Sequence, residues 1–204
     1  MGDLARPINP DSSVHLCLDM QRLFGPGGPW ATPWLERVLP LIVSLVEHAP
    51  ARTVFTRFMP PPTPAHARGM WRPYFEKWSN VTLNEIEASM LELMSALESY
   101  APPATIIDKP AYSAFSAPEL LTFLLSKHVT TLIITGAETD VCVLATILGA
   151  VDQGFRVIVA SDALCSSADE SHDALLNLYR KRFDVQVELA STAEILESWR
   201  HRIS

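Results

Sequence analysis

Six short runs of apolar residues punctuate the chain, and most run into polar residues at their C-terminal end. The first is Val14-His15-Leu16-Cys17-Leu18, followed by Asp19-Met20-Gln21. The others are Arg52-Thr53-Val54-Phe55-Thr56-Arg57, Ala104-Thr105-Ile106-Ile107-Asp108, Thr130 through Thr135, Phe155 through Ala160, and Asp184 through Glu188. Runs of this length without polar alternation predict strands buried on both faces. Patterns of helical period lie between them, over 34–48, 83–99, 117–128, 140–153, 170–182 and 192–202. Ser116-Ala117-Pro118-Glu119 reads as an N-cap, a first-turn proline and a capping-box glutamate. Strands alternating with helices predict a parallel sheet covered on both faces, a three-layer α/β architecture.

One stretch breaks the alternation. Phe58-Met59-Pro60-Pro61-Pro62-Thr63-Pro64 leads through Trp71-Arg72-Pro73-Tyr74-Phe75 to Trp78. Its prolines argue against a regular helix and its aromatics against a disordered linker, so 58–82 reads as an ordered loop that covers a site or forms an oligomer contact. No internal repeat or boundary divides the 204 residues, and one domain over 1–204 is expected.

Composition narrows the function. The net charge is −7 and no segment concentrates Lys and Arg, which disfavours nucleic acid and leaves a small molecule as the expected partner. No apolar run approaches the roughly 20 residues needed to cross a bilayer, and Met1-Gly2-Asp3-Leu4-Ala5-Arg6 does not resemble a secretory leader. A cytoplasmic protein without membrane contact is therefore expected. The three cysteines, at 17, 142 and 165, are spaced for neither a disulfide framework nor a zinc site.

Open α/β sheets bind ligands beyond the carboxyl ends of their strands. Asp19, Lys109 and Gly136 through Cys142 all fall there. Cys142 follows Thr135-Gly136-Ala137-Glu138-Thr139-Asp140-Val141, where a strand turns through glycine into a helix, and the first turn of a helix favours a thiolate. Taken singly, Cys142 reads as well as a small buried hydrophobe, Asp19 as a turn or cap residue and Lys109 as a snorkelling surface lysine. Taken together they supply a nucleophile, a base for its proton and a cation to hold the charge. Phe24, Trp71, Tyr112 and Phe115 could form apolar pocket walls or simply belong to the core. Cys17 and Cys165 read as structural, Trp30 and Trp199 as packing residues, and His172 as a helix-surface histidine.

These same residues carry a resemblance. Leu18-Asp19-Met20-Gln21 with Phe24, Val54-Phe55-Thr56-Arg57, Lys109 with Tyr112-Ser113-Ala114-Phe115, Gly136 through Val143, and Asp162-Ala163 are similar, in that order, to the motifs of isochorismatase-like hydrolases. The resemblance implies a Rossmann-like sheet of six parallel strands and a homodimer or homotetramer. It also implies a cysteine hydrolase of a small amide, ureido or related C–N bond, with a thioester intermediate. Asp19 would take the Cys142 proton, Lys109 would hold the charged pair, and the backbone N–H groups of Glu138 and Cys142 would form the oxyanion hole, with a non-proline cis peptide before Glu138.

Nicotinamidases of this superfamily hold a metal through an Asp-x-His element after the second strand. Here Arg57 is followed by Phe58-Met59-Pro60, with His66 the only histidine nearby, so neither a metal nor another cofactor is expected and nicotinamide is disfavoured. Arg22 and Leu23 stand where the family commonly has aspartate and asparagine. The alternatives are a vinyl-ether hydrolase in which the cysteine is incidental, and a non-catalytic binding protein of the same fold.

Overall fold

The computed structural model describes residues 4–200. Six strands, β1 (Ser13–Leu18), β2 (Thr53–Phe58), β3 (Thr105–Lys109), β4 (Thr131–Ala137), β5 (Arg156–Cys165) and β6 (Val187–Ala190), form one sheet in the order β3-β2-β1-β4-β5-β6. Every pairing is parallel. The helices are α1 (Leu35–His48), α2 (Trp71–Lys77), α3 (Ser95–Glu98), α4 (Pro118–Ser126), α5 (Leu144–Asp152), α6 (Asp169–Arg182) and α7 (Thr192–Ser198).

All six residues of β1 and all seven of β4 are buried, as strands sandwiched between two layers must be. Successive side chains feed opposite cores. Val14, Leu16 and Leu18 pack with Leu120, Leu124, Ile147 and Tyr179 from α4, α5 and α6. Cys17 faces the other way, toward Val38, Ile42 and Leu45 of α1 and Ile195 of α7. His15 also sits within β1, where burial lowers its imidazole to about 3 and keeps it neutral. Its Nε2 lies 2.8 Å from Thr135 Oγ1, which satisfies a ring nitrogen that would otherwise be stranded.

Several expected elements are corrected. The helix over 83–99 is not formed. The segment holds a 3-10 turn at Ala88–Leu91 and the four-residue α3, because its backbone pairs with the stretch after β1. Arg22 N–H donates to Glu92 O at 3.0 Å, Met94 N–H to Met20 O at 2.8 Å, and Gln21 bridges to Leu93. The 58–82 loop does contain a helix, α2, with Pro73 in its first turn, where the missing N–H has no helical partner to lose. Ser116 is not the N-cap of α4. Ala117 holds that position without a side-chain bond, and Pro118 is the first helical residue. The sixth strand begins at Val187 because a turn returning Gln186 and Val187 N–H to Phe183 O takes up the residues before it. Beyond Ser198 the last expected helix is not continued, and residues 201 and 202 of that range lie outside the described residues. Among the described residues no helix is long and apolar enough to cross a membrane.

Candidate active site

The strand order reverses direction at β1, whose neighbours are β2 on one side and β4 on the other. Crevices at such switch points, beyond the carboxyl ends of the strands, are where open sheets hold ligands. Asp19 is the first residue after β1. It adopts φ 51°, a left-handed conformation that short polar side chains tolerate. Its N–H donates to Thr56 O and is also within 3.2 Å of Thr56 Oγ1, while Thr56 Oγ1 donates to Asp19 Oδ1 at 2.6 Å. Thr56 thereby fixes both backbone and carboxylate.

Lys109 ends β3, two strands away from β1, and its side chain reaches over the Phe58 ring with Nζ 5.3 Å from the centroid. The ammonium donates to Ala111 O at 3.0 Å and Tyr112 O at 2.9 Å, lies 2.8 Å from Asp19 Oδ2, and contacts Cys142 Sγ at 3.5 Å. Asp19 and Lys109 are both 0 % exposed. A buried lysine ordinarily loses its proton more easily, but the Asp19 charge beside it outweighs burial and holds the ammonium above its usual value. Asp19 Oδ2 is held by the Lys109 ammonium and Oδ1 by the Thr56 hydroxyl, so each carboxylate oxygen has its own partner.

Cys142 is delivered by the other side of the switch. At Gly136 the chain passes through φ 110°, and a Cβ there would lie 2.1 Å from Leu18 O, so only glycine lets β4 approach β1 this closely. The Ala137–Glu138 peptide is cis. Residues Thr139–Val143 then form a π-helical turn in which Val141 and Val143 N–H donate to Glu138 O, both at 3.1 Å. Cys142 lies in this turn, and its thiol is not favoured as thiolate. Burial, then the Asp19 charge, push it well above its ordinary value, with Lys109 opposing. At rest the proton therefore stays on sulfur, beside a carboxylate. Cys17 and Cys165 are also free and buried, and burial raises both, Cys17 to about 12.

Cys142, 5 % exposed, opens onto a cavity of about 350 Å³, a size that suits a small ligand. Phe24 and Tyr112 line it, as do Trp30, Phe58, Tyr74 and Trp78. Trp71 stands behind this wall, its ring 4.7 Å from Tyr112 and stacked on Phe75. Phe115 is corrected as a pocket residue: it stacks on Phe155 and packs with the α4–α5 core. Trp30, expected only to pack, both packs and faces the cavity. Trp199 is in the core with α1 and α7. His172 is not on the surface. It is buried, with Nδ1 2.8 Å from Thr139 Oγ1 and its ring edge-on to Trp34, and so braces the first residue of the cysteine turn.

After β2, the stretch in which an Asp-x-His element would be sought, Phe58 lines the cavity and Arg57 is engaged in ion pairs with Glu92 and Asp108. His66 is engaged with Thr63 at 2.8 Å. Among the described residues no group of three His, Cys, Asp or Glu side chains could hold a metal, so these residues do not fit that ion.

The chain is 28% identical over 149 residues to N-carbamoylsarcosine amidase of an Arthrobacter species, covering 68% of this chain and 53% of that protein. It is 29% identical over 177 residues to Nicotinamidase 3 of Arabidopsis thaliana, covering 85% of this chain and 84% of the relative. The aligned region spans about half the length of two of the curated relatives it matches. Among solved structures, a cysteine hydrolase from Pseudomonas syringae pv. phaseolicola 1448A superposes with a TM-score of 0.81 at 25% identity over 95% of this chain and 94% of that one. The sequence model of the Isochorismatase domain matches residues 13–193, most of the chain, and the protein belongs to the isochorismatase family.

Proposed function

We propose that the protein is a cysteine-dependent hydrolase of a small amide or ureido C–N bond. The observation that carries this reading is the buried Lys109 ammonium touching both Asp19 Oδ2, at 2.8 Å, and Cys142 Sγ, at 3.5 Å, beneath the cavity. A thiol that keeps its proton at rest needs a base at the moment of attack, and Asp19 is the adjacent carboxylate. As sulfur bonds to the substrate carbonyl carbon, Asp19 takes the thiol proton and the carbonyl oxygen becomes an oxyanion facing the N–H groups of Glu138 and Cys142. Collapse of this intermediate breaks the C–N bond, with Asp19 returning the proton to the departing nitrogen. Water, deprotonated by Asp19, then attacks the thioester. The carboxylic acid leaves and sulfur recovers its proton. Throughout, Lys109 stays charged and offsets the negative charge as it moves between carboxylate and sulfur. The amide-hydrolysing relatives favour this bond class.

The test is release of ammonia or amine from a panel of amides and ureido compounds by wild type and Cys142→Ala. Loss of turnover in the variant on every wild-type substrate is expected. Turnover by Cys142→Ala equal to wild type refutes the mechanism.

A further inference from the structure

Among the described residues that line the cavity, Glu138 is the only acidic one, and none is Lys or Arg. Its Oε1 is anchored by Ser167 N–H at 3.2 Å and Thr32 Oγ1 at 3.3 Å, which fixes the carboxylate on the wall. Oε2 takes neither of these bonds. The same cavity is lined by an aromatic group centred on Trp30, whose ring lies 5.9 Å from Phe58, 6.2 Å from Tyr74 and 6.0 Å from Trp78. Burial pushes the Tyr74 and Tyr112 phenols up, so both remain neutral. The Lys109 ammonium near Cys142 is fully buried and already shared among two carbonyls, Asp19 and Cys142.

We propose that this cavity selects a ligand bearing a cationic ammonium group, with Glu138 as the specificity-determining residue, and that the substrate is a small cationic amide or ureido compound. The substrate assignment rests on the hydrolase reading above. An ammonium group finds a fixed carboxylate together with electron-rich ring faces, both attractive to a cation in a partly dry site. A carboxylate-bearing ligand would meet Glu138 with no accessible cation to offset the repulsion. Lys77, which lies 5.4 Å over the Trp78 ring, does not line the cavity and does not alter this sign.

Ligand charge is tested without turnover by three compounds of one shape: choline, neutral 3,3-dimethylbutan-1-ol and anionic 3,3-dimethylbutanoate. Each is titrated for its protection of Cys142 against iodoacetamide in the full chain, read by peptide mass mapping. Choline is expected to protect at a concentration at least about tenfold below the neutral isostere, a gap of about 1.4 kcal/mol, with the anion weakest. Glu138→Gln is expected to shrink the choline-to-alcohol ratio severalfold, and added salt to shrink it in the wild type, which does not depend on the variant folding. Equal protection by all three, preference for the anion, or no protection by any overturns the proposal. Choline protection without amide turnover by the wild type would support the cationic cavity while refuting the hydrolase reading. Cys142-dependent turnover that favours carboxylate-bearing amides would do the reverse.

Discussion

Asp19→Asn isolates what the buried ion pair contributes. Asparagine matches aspartate in shape, accepts the Thr56 hydroxyl at the same oxygen, and tolerates the φ 51° that position 19 requires, so the backbone is not disturbed. What changes is that Lys109, 0 % exposed, loses its counter-charge. Removing one partner of a buried pair costs about 3–5 kcal/mol. Two carbonyl acceptors remain on Nζ, at 3.0 and 2.9 Å, which argues for the lower end, about 3 kcal/mol. For a chain of this length that lowers Tm by about 6–12 °C. The pH dependence has a definite sign. In the wild type the Lys109 value is raised, so its contribution is complete below the ordinary lysine range and is lost above it. Without the Asp19 charge, burial, which lowers Lys109, goes largely unopposed. The unfolded chain then binds a proton that the folded chain gives up, and stability of the variant rises with pH toward the ordinary lysine value. Thermal and urea unfolding at pH 7 and pH 10 measure both effects. The double variant Asp19→Asn/Lys109→Met should cost less than the sum of the singles, because it leaves no unpaired buried charge. A loss for Asp19→Asn below about 1 kcal/mol at pH 7, or strict additivity in the double variant, would show that the pair is not desolvated.

Three further outcomes follow from local geometry. Gly136→Ala should lower stability by at least about 3 kcal/mol, or prevent soluble expression, since its Cβ would meet Leu18 O at 2.1 Å in a positive-φ conformation; urea unfolding reads this. Gln21→Ala removes the side chain that accepts Phe58 N–H at 2.7 Å and donates to Phe58 O and Leu91 O, and should cost about 2–4 kcal/mol in the same assay because buried backbone groups are left unpaired. Burial alone would raise Glu188, but Arg156 and the Ala5 N–H outweigh it and hold the carboxyl below its ordinary value. The pair therefore stabilises fully above the ordinary glutamate range and is lost as pH falls through the lowered value, so Glu188→Gln should flatten the acid limb of a Tm-against-pH curve.

The strands were legible because burial on both faces leaves an unmistakable apolar run, and Asp19, Lys109 and Cys142 because each sits where such a run ends. The order of the strands is invisible to periodicity, and it is the order that brings the three side chains together. The 83–99 segment misled for a related reason. Its helical spacing is real, but its N–H and C=O groups are taken by Met20, Gln21 and Arg22, partners more than 65 residues away that local pattern cannot report. Thr56 was visible inside a recognised motif, yet nothing in a strand threonine reveals that its hydroxyl faces a carboxylate. His172 followed the surface pattern of an acidic helix start, and its burial depends on Trp34 arriving from another element.

The cavity is the clearest case of what sequence could and could not give. The prolines and aromatics of 58–82 marked an ordered cover, and Phe58, Tyr74 and Trp78 from that segment do line the site, whereas the choice among aromatics was made by element boundaries that pattern does not fix. Phe115 differs from Tyr112 by three positions, and the 3-10 turn Ala114–Ser116 that contains Phe115 carries it into the helical layer, while Tyr112, just before the turn, stays at the cavity. Glu138 escaped attention for the opposite reason. The resemblance implied an oxyanion-hole role for its backbone only, and its side chain drew no notice. Yet the other lining residues are neutral side chains around the thiol, and one anchored carboxylate among them is the feature on which the proposed preference for a cationic ligand rests.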